Sequence, residues 1–442
     1  MKVDPSTEFA ADTSHPAGAA AALRSTTAVR QRAAALLARA RRGESAWFTI
    51  AGDDVIEDAA RTVAEVTLER YPWDTIPYHS RWRHFEAGGV NRLEELDRLL
   101  GDALSAPARA RAQIDLVVVS VLLDAGAGPD WHYVESANGQ RFARSEGLAV
   151  ASFHAFTSGL FSSDPDRPLQ VDAAGLRGLV ADRLGDAFQV SEVNPLLGLA
   201  GRTTLLRRLG EAMSEQPEVF GADGRPGGIF DILVSPRGPA VASTATLAAH
   251  DILSQLLMSL SHIWPANNSI DSIAADGSDL AGSIDPAHAL GDCWRHGAVT
   301  GPGLTNGWMP FHKLSQWLTY SLLEPFEWAG VKIVGLDALT ALPEYRNGGL
   351  LLDAGVIVPR DAGLLQREWK VGDEFIVEWR ALTVALLDEL APRVRKVLDR
   401  DESQMPLACV LEGGTWAAGR VLAQRLRQGL PPLRIDSDGT VF

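Results

Sequence analysis

The stretch IDLVVVSVLLDAGAG, Ile114 to Gly128, is the most apolar part of the chain. Its apolar run is interrupted by Ser120 and flanked by Asp115 and Asp124. A helix that spans a bilayer needs about 20 predominantly apolar residues, so this run is too short to cross a membrane. It predicts instead a helix buried in the core of a protein, and we expect no membrane partner.

The composition is that of an ordinary globular protein, with 442 residues of which 46% are hydrophobic and 22% charged. A formal net charge of -15 argues against a nucleic-acid partner, because such binding requires Lys and Arg to neutralise many phosphates. Cys293 and Cys409 are too few for a disulfide framework or a multi-cysteine zinc site. Because the start of the chain shows no secretory or transit pattern, we expect a reduced, cytoplasmic location.

Outward from the apolar stretch, hydrophobic residues recur mostly at helical spacing, which predicts a mainly α fold with minor β elements. Residues 1–22, rich in Ala, Pro, Ser and Thr, predict a mobile tail. Residues 23–442 predict a single catalytic domain, built as one body or as two lobes around one pocket. Predicted helices are 25–43, 53–72, 91–104, 110–126, 172–188, 201–216, 243–264, 312–330, 373–400 and 414–429. Predicted strands are 46–50, 331–334, 350–358 and 434–442.

A basic and aromatic cluster, IPYHSRWRHFEAGG, occupies Ile76 to Gly89. If this segment is extended, His79, Arg81 and Arg83 share one face. Two guanidiniums on one face suit a phosphate, whereas pairing with nearby carboxylates makes the cluster a structural knot. Because the spacing of the two histidines matches neither helical pair typical of metal ligands, we expect no metal.

Two other segments carry groups that suit catalysis. In PFHKLSQWLTY, Lys313 and Gln316 lie on one helix face, with Pro310 at the first helical position and Lys313 in the first turn, where anions bind. In LPEYRNGG, consecutive Glu344, Tyr345 and Arg346 precede an Asn-Gly turn. The alternatives are a lysine that reaches solvent from an amphipathic helix and a surface salt bridge at the turn.

Three further segments with candidate residues lie at the end of a predicted helix or between predicted helices. Asp124 ends the apolar helix, where it is either an acid or base or a cap on the following turn. RSEGLA and GDCWRH supply residues that either line a site or form buried ion pairs. These residues are Arg144, Glu146, Asp292, Trp294 and Arg295.

Taken together, these segments with FSSDP and EGGTWAAGR resemble a family of fungal and bacterial uracil-catabolism proteins over residues 25–442. In that route uracil is converted to its ribonucleotide, the ring is opened and urea is released. More distantly, FHKLSQWL and LPEYRNGG are similar to a helix and a turn of the queuosine 5′-phosphate glycosidases, whose fold is similar to that of helix-hairpin-helix DNA glycosylases. Lys313 and Gln316 match the helix, Tyr345 and Arg346 match the turn, and Glu344 stands where that family has Asp.

The resemblance implies an N-glycosidase that cleaves a ribosylurea 5′-phosphate to ribose 5-phosphate and urea, with no cofactor. Glu344 would activate water and stabilise the ribosyl cation, and Asp124 or His79 would protonate the urea. The phosphate and ribose ligands would be Lys313, Arg346, Arg81 and Arg83. Two alternatives remain: a ureido hydrolase with a metal near His79 and His84, and a non-catalytic nucleotide-binding partner of the ring-opening enzyme.

Overall fold

The computed structural model describes residues 11–72, 75–124, 126–234, 245–264, 268–270 and 288–436. It is 57% helix and 9% strand, so the predicted mainly α fold with minor β elements is confirmed. No helix within these ranges is both long enough and apolar enough to cross a bilayer. The helices are α1 Pro16–Leu23, α2 Thr26–Arg41, α3 Asp53–Arg70, α4 Arg81–Phe85, α5 Arg92–Leu100, α6 Ala106–Leu122, α7 Arg144–Thr157, α8 Ala173–Arg177, α9 Ala181–Ala187, α10 Leu199–Ser214, α11 Pro217–Phe220, α12 Gly228–Val234, α13 Ala249–Leu260, α14 Lys313–Trp328, α15 Tyr345–Asp353, α16 Glu374–Val397, α17 Leu407–Val410 and α18 Trp416–Arg427.

The strands are short and pair only two by two within the described ranges. The antiparallel pairs are β1 Phe48–Ile50 with β10 Ile357–Pro359, β2 His132–Val134 with β3 Arg141–Ala143, β5 Ser269–Ile270 with β6 His288–Ala289, and β7 Cys293–Arg295 with β8 Trp308–Pro310. The parallel pairs are β4 Thr246–Ala248 with β9 Lys332–Val334, and β11 Glu368–Lys370 with β12 Arg434–Asp436. These short pairs join the segments between the helices to one another, and β12 joins the last described residues to β11.

Helix α6 is buried on every side from Ala112 to Leu122, as its apolar run predicts. It packs against α14, α7, α10 and α12. Asp115 lies within the run, and its carboxylate accepts hydrogen bonds from Arg225 Nη2 at 2.6 Å and the Gly227 amide at 2.7 Å. Burial raises the pKa of Asp115 despite these partners. Around this core, α16 packs on α2 and α3, and α15 packs on α18.

The structure differs from the sequence-based expectations at the N-terminus. Pro16–Leu23 form α1, and Ala19, Ala20 and Leu23 are buried against Ile270, Leu290 and Trp308. The prediction of a mobile tail is therefore wrong for residues 16–22, because the alanines supply an apolar face that packs. Residues 1–10 lie outside the described residues.

Local expectations also fail where a glycine or a proline interrupts a pattern. The predicted helix 172–188 is two helices, α8 and α9, with Gly178 capping the first. The predicted strand 350–358 begins as the end of α15 and becomes β10 only at Ile357, after Gly355 reverses the chain at φ 74°. Pro310 ends β8 rather than starting α14. The predicted strand 434–442 is observed as β12, and residues 437–442 lie outside the described residues.

We predict that Gly348→Ala destabilises the protein by about 1 to 3 kcal/mol, the range for overpacking a tight core. A Cβ at Gly348 of α15 would lie 2.3 Å from Trp379 Cζ2 of α16 and 2.9 Å from Thr383 Oγ1. Urea unfolding measures the change. The control, Gly178→Ala, places its Cβ no closer than 3.4 Å to any atom and should leave the free energy of unfolding within about 0.5 kcal/mol. Equal stability of the two variants would contradict the tight α15–α16 contact.

Candidate active site

Five helix ends meet around one cavity of about 580 Å³. The ends are the start of α7, the start of α14, the start of α15, the start of α18 and the turn after α6. Eight predicted site residues lie on its wall: His79, Asp124, Arg144, Glu146, Lys313, Glu344, Tyr345 and Arg346. Segments far apart in sequence therefore contribute to one polar cavity, as their shared chemistry predicts.

Lys313 is placed by the way α14 begins. His312 adopts a left-handed backbone with φ 51°, and Asp292 Oδ2 accepts a hydrogen bond from the Lys313 amide at 2.9 Å. Asp292 is itself fixed by Arg380 of α16, which donates to both of its oxygens at 2.7 Å. A left-handed non-glycine residue is strained, so this start is held by the surrounding contacts.

Neighbouring charges and burial together act on the Lys313 side chain. Burial lowers the pKa of Lys313, and the Arg380 charge acts in the same direction. The carboxylates of Glu344, Asp124 and Asp292 oppose this shift, with Glu344 the strongest of the three. A lysine in this setting can bind an oxyanion or a ribose hydroxyl close to two carboxylates.

Glu344 is the N-cap of α15. Its Oε2 accepts from the Arg346 amide at 2.6 Å and its Oε1 from the Asn347 amide at 2.7 Å. The helix start thus holds the carboxylate in one orientation, and each oxygen keeps a further lone pair for a ligand. Next to it, burial and the Glu344 charge raise the pKa of Tyr345 to about 12, so its phenol stays protonated.

Asp124 follows α6 and is paired rather than isolated. Its Oδ1 lies 3.0 Å from Arg81 Nη1, and its Oδ2 accepts from Ser145 Oγ at 3.2 Å. Arg81 is fully buried, and its Nε also donates to Ser120 Oγ at 2.7 Å. Asp124 is therefore a partly buried carboxylate held against a guanidinium, with 9% of its side chain exposed.

Aromatic rings form one wall of the cavity. The rings of His79 and His84 each lie between Trp317 and Trp416, with centroid distances of 5.7 to 6.4 Å. Burial and the Arg81 charge lower the pKa of His84 to about 4, so this imidazole is neutral near pH 7. Flat apolar surfaces beside charged groups suit a small polar ligand with one planar part.

Three guanidiniums lie at the rim. Arg346 and Arg420 stand over the Trp416 ring at 6.0 and 5.8 Å, and Arg420 pairs with Glu146 at 2.9 Å. Arg144 and Arg346 form no ion pair within the described part of the chain. Burial lowers the pKa of Arg346, the Glu344 charge opposes this shift, and the neighbouring Arg144 and Arg420 charges act in the same direction as burial. Two of the three clustered cations, Arg144 and Arg346, thus have no carboxylate within ion-pair distance in the described residues, which favours an anionic ligand.

Arg144 has an unusual backbone. Its φ is 55°, in the left-handed region, at the first residue of α7. Strained backbone of this kind costs roughly 1 to 3 kcal/mol and is concentrated at functional sites. Arg144 therefore combines a strained backbone with an exposed side chain on the wall of the cavity.

Six predicted site residues do not line the cavity. The segment after Ser80 is the short helix α4 rather than an extended strand, so Arg81 and Arg83 do not share an open face. Arg81 is enclosed by Asp124 and Ser120, which matches the structural-knot alternative, and Arg83 pairs with Glu324 and Glu86 at 2.8 Å. Arg83 borders a neighbouring cavity of about 650 Å³.

The other four residues that do not line the cavity have structural contacts. Gln316 Oε1 accepts from the Thr340 amide at 3.2 Å, which ties α14 to the segment before Glu344. Trp294 Nε1 donates to Asp292 Oδ1 at 2.7 Å, so both residues belong to the support of α14. Arg295, the third candidate in that segment, donates to the Asn306 carbonyl at 2.8 Å and is exposed.

Sequence reasoning missed four residues of the cavity: His84 as an aromatic wall, Trp317, Trp416 and Arg420. Trp416 and Arg420 lie in EGGTWAAGR and are four residues apart, so they share a helix face. That spacing was the available signal. Among the described residues, no group of three or more His, Cys, Asp or Glu side chains is arranged to hold a metal ion.

The fold and the cavity define a mainly helical protein with a charged ligand pocket at converging helix ends. A family model described as "Protein of unknown function (DUF1688)" matches residues 22–442. The chain is 40% identical over 375 residues to Protein urg3 of Schizosaccharomyces pombe, covering 84% of this chain and 85% of that protein. It is 39% identical over 415 residues to Uracil catabolism protein 4 of Lachancea kluyveri, covering 88% and 90%. The chain therefore belongs to this family, and the predicted resemblance is confirmed.

We predict that Arg81→Lys lowers stability by about 3 kcal/mol or more, because it breaks a buried pair and its hydrogen bonds to Ser120 and the Ser145 carbonyl. Calorimetric unfolding measures the loss. Arg61→Lys, in an exposed pair with Asp58, should change stability by less than about 1 kcal/mol. An Arg81→Lys variant that unfolds like the unmodified protein would contradict the structural role.

Proposed function

We propose that this protein is an N-glycosidase of uracil catabolism. It hydrolyses a ribosylurea 5′-phosphate to ribose 5-phosphate and urea. The name of one relative, Uracil catabolism protein 4, supports the pathway. The observation that carries the reaction is that one cavity is lined both by the Glu344 and Asp124 carboxylates and by the Arg144 and Arg346 guanidiniums. Cleavage of an N-glycosidic bond needs the carboxylates, and recognition of a phosphorylated sugar needs the guanidiniums.

The chemistry assigns a role to each group. As the bond from C1′ to the urea nitrogen breaks, positive charge develops on the ribose, and fixed carboxylates nearby stabilise it. Glu344 is held by two amides and has lone pairs to accept a proton from the attacking water. The water oxygen bonds to C1′, the bonding electrons leave with the urea nitrogen, and that nitrogen takes up one proton.

Substrate orientation follows from the arrangement of charges. Arg144, Arg346 and Arg420 at the rim would hold the 5′-phosphate, and Lys313 would bind the ribose close to Glu344 and Asp124. The planar urea would lie against the wall of Trp317 and Trp416. In this arrangement Arg346 keeps its predicted role, and Arg144 and Arg420 take the place of Arg81 and Arg83.

The helical body is also proposed to be related to that of the helix-hairpin-helix glycosidases. Support comes from the arrangement of the matching residues: Lys313 and Gln316 both lie on α14, and Tyr345 and Arg346 begin α15 directly beside Glu344. Glu344 thus occupies the capping position at the start of that helix, and its longer side chain still reaches both amides.

We predict that Glu344→Gln lowers turnover of ribosylurea 5′-phosphate by a factor of about 10² to 10⁴, because the amide neither carries the charge nor accepts the proton from water. Release of ribose 5-phosphate measures it, and substrate affinity should stay within about tenfold. Asp361→Asn, which alters a capping carboxylate on the Ala362–Gln366 turn, is the matched control and should turn over normally. Turnover by a folded Glu344→Gln protein close to that of the unmodified enzyme would remove Glu344 from the mechanism.

A separate prediction concerns the phosphate. Arg346→Gln should weaken ribose 5-phosphate binding by about 1.5 to 3 kcal/mol, roughly ten- to hundredfold, the range for a hydrogen bond to a charged group. Titration calorimetry measures the affinity. The control is Arg425→Gln, which removes one positive charge at an exposed residue outside the cavity and should bind ribose 5-phosphate as the unmodified protein does. Equal affinities for both variants would place the phosphate elsewhere.

A further inference from the structure

His79 is paired with a carboxylate that the proposed mechanism has not used. Its Nδ1 lies 2.8 Å from Glu412 Oε2, and both side chains are nearly buried. Glu412 Oε1 accepts from Arg70 Nη2 at 2.8 Å and from the Tyr71 hydroxyl at 2.9 Å. Burial opposes ionisation, but the hydrogen bond and charge of His79 and the Arg70 charge outweigh it and lower the pKa of Glu412 to about 2. Glu412 is therefore an acceptor, and His79 Nδ1 carries the proton.

A local distortion of the chain places Glu412. Residues Leu411–Thr415 form a π-helical turn between α17 and α18. Turns of this kind are rare and frequently lie at functional sites. Gly413 and Gly414 let α3 approach, since a Cβ at Gly414 would lie 2.7 Å from the Val63 carbonyl oxygen. This contact brings the Glu412 carboxylate to Arg70 and Tyr71 at the end of α3.

The other ring nitrogen of His79 is available to a ligand. Nε2 has no hydrogen-bond partner within the described ranges, and the residue lies on the wall of the cavity that holds Asp124, Lys313 and Glu344. His79 lies between two cavities that are lined by further charged or titratable groups. In the cavity of Glu344 these are Asp124, Lys313, Glu344, Arg144, Glu146, Arg346 and Arg420; in the neighbouring cavity they are Glu412, Arg70, Tyr71, Arg83, Glu86, Arg141 and His84.

The leaving group needs a proton that the cavity carboxylates do not supply. Asp124 is held against the Arg81 guanidinium, and both Glu344 oxygens accept from backbone amides, so each is set as an acceptor. Urea is a poor leaving group as an anion, and a positioned acid removes that barrier. An imidazolium whose far nitrogen donates to a fixed carboxylate can give up its other proton into the cavity.

We propose that His79 is the proton donor to the leaving nitrogen and that Glu412 is its positioning residue. The inference rests on the proposed glycosidase reaction. As the C1′–N bond breaks, the proton on His79 Nε2 moves to the urea nitrogen. His79 is then neutral, and it keeps the proton on Nδ1, which is hydrogen-bonded to Glu412. Water adds to C1′ and gives its proton to Glu344. Exchange with solvent then returns one proton from Glu344 to His79, so that the cycle consumes only substrate and water.

The test compares two leaving groups in His79→Gln. With ribosylurea 5′-phosphate, turnover should fall by about 10² to 10⁴, the range for general acid catalysis. With 4-nitrophenyl riboside 5-phosphate, whose leaving group needs no proton, the fall should be less than about tenfold. Equal losses on both substrates in a folded variant would overturn the inference. If the unmodified protein cleaves neither substrate, the glycosidase reaction itself is wrong, which separates the two failures.

The positioning role has its own readout. Glu412→Gln removes the fixed charge and one of the acceptor oxygens beside the His79 ring. Turnover of ribosylurea 5′-phosphate should therefore fall by about tenfold or more, while KM and turnover of 4-nitrophenyl riboside 5-phosphate stay close to those of the unmodified protein. Tyr71→Phe removes a hydrogen bond to the same carboxylate without touching Oε2, so it should cost similar stability yet leave turnover of both substrates in place. Unchanged turnover of ribosylurea 5′-phosphate by Glu412→Gln, or equal losses on both substrates, would contradict the role of Glu412.

Discussion

The buried guanidinium of Arg81 is the contact on which the cavity depends most. It joins α4, the middle of α6, the turn at Asp124 and the start of α7 through Ser120, Asp124 and the Ser145 carbonyl. Removing a charge from water is costly unless partners replace the water, so these elements are fixed relative to one another. Burial lowers the pKa of Arg81, and the Asp124 charge opposes that shift. The same pair holds one of the two carboxylates of the site in its place.

A second buried pair serves the opposite wall. Arg380 of α16 grips Asp292, and Asp292 in turn holds the first amide of α14. The cavity is thus framed by two ion pairs whose members look like ligand-binding groups when seen only as sequence. In a protein with a formal net charge of -15, each arginine has carboxylates available, so most arginines near the site are neutralised. The exceptions, Arg144 and Arg346, then become informative.

Much of the fold was predictable from the sequence, because long amphipathic or apolar runs such as those of α2, α3, α6 and α16 leave few alternatives. The convergence of Asp124, Lys313 and Glu344 was also predictable, from the resemblance and from titratable residues in the segments that interrupt the apolar helices. The sequence carried less information about which arginine faces the cavity. Whether Arg81 or Arg144 is buried depends on the path of a five-residue helix and on one left-handed residue, and periodicity reports neither. The Glu412–His79 contact depends on a π-helical turn, which no hydrophobic pattern encodes.

The central claim is that the bond broken joins the ribose to the ureido nitrogen. Product analysis of ribosylurea 5′-phosphate incubated with the purified protein tests it most directly, with urea, ribose 5-phosphate and ammonia each quantified. Cleavage of the glycosidic bond yields one urea for each ribose 5-phosphate and no ammonia. Release of ammonia without urea would mean that water attacks the ureido carbonyl instead, and that the Glu344 cavity does not carry out the reaction assigned to it.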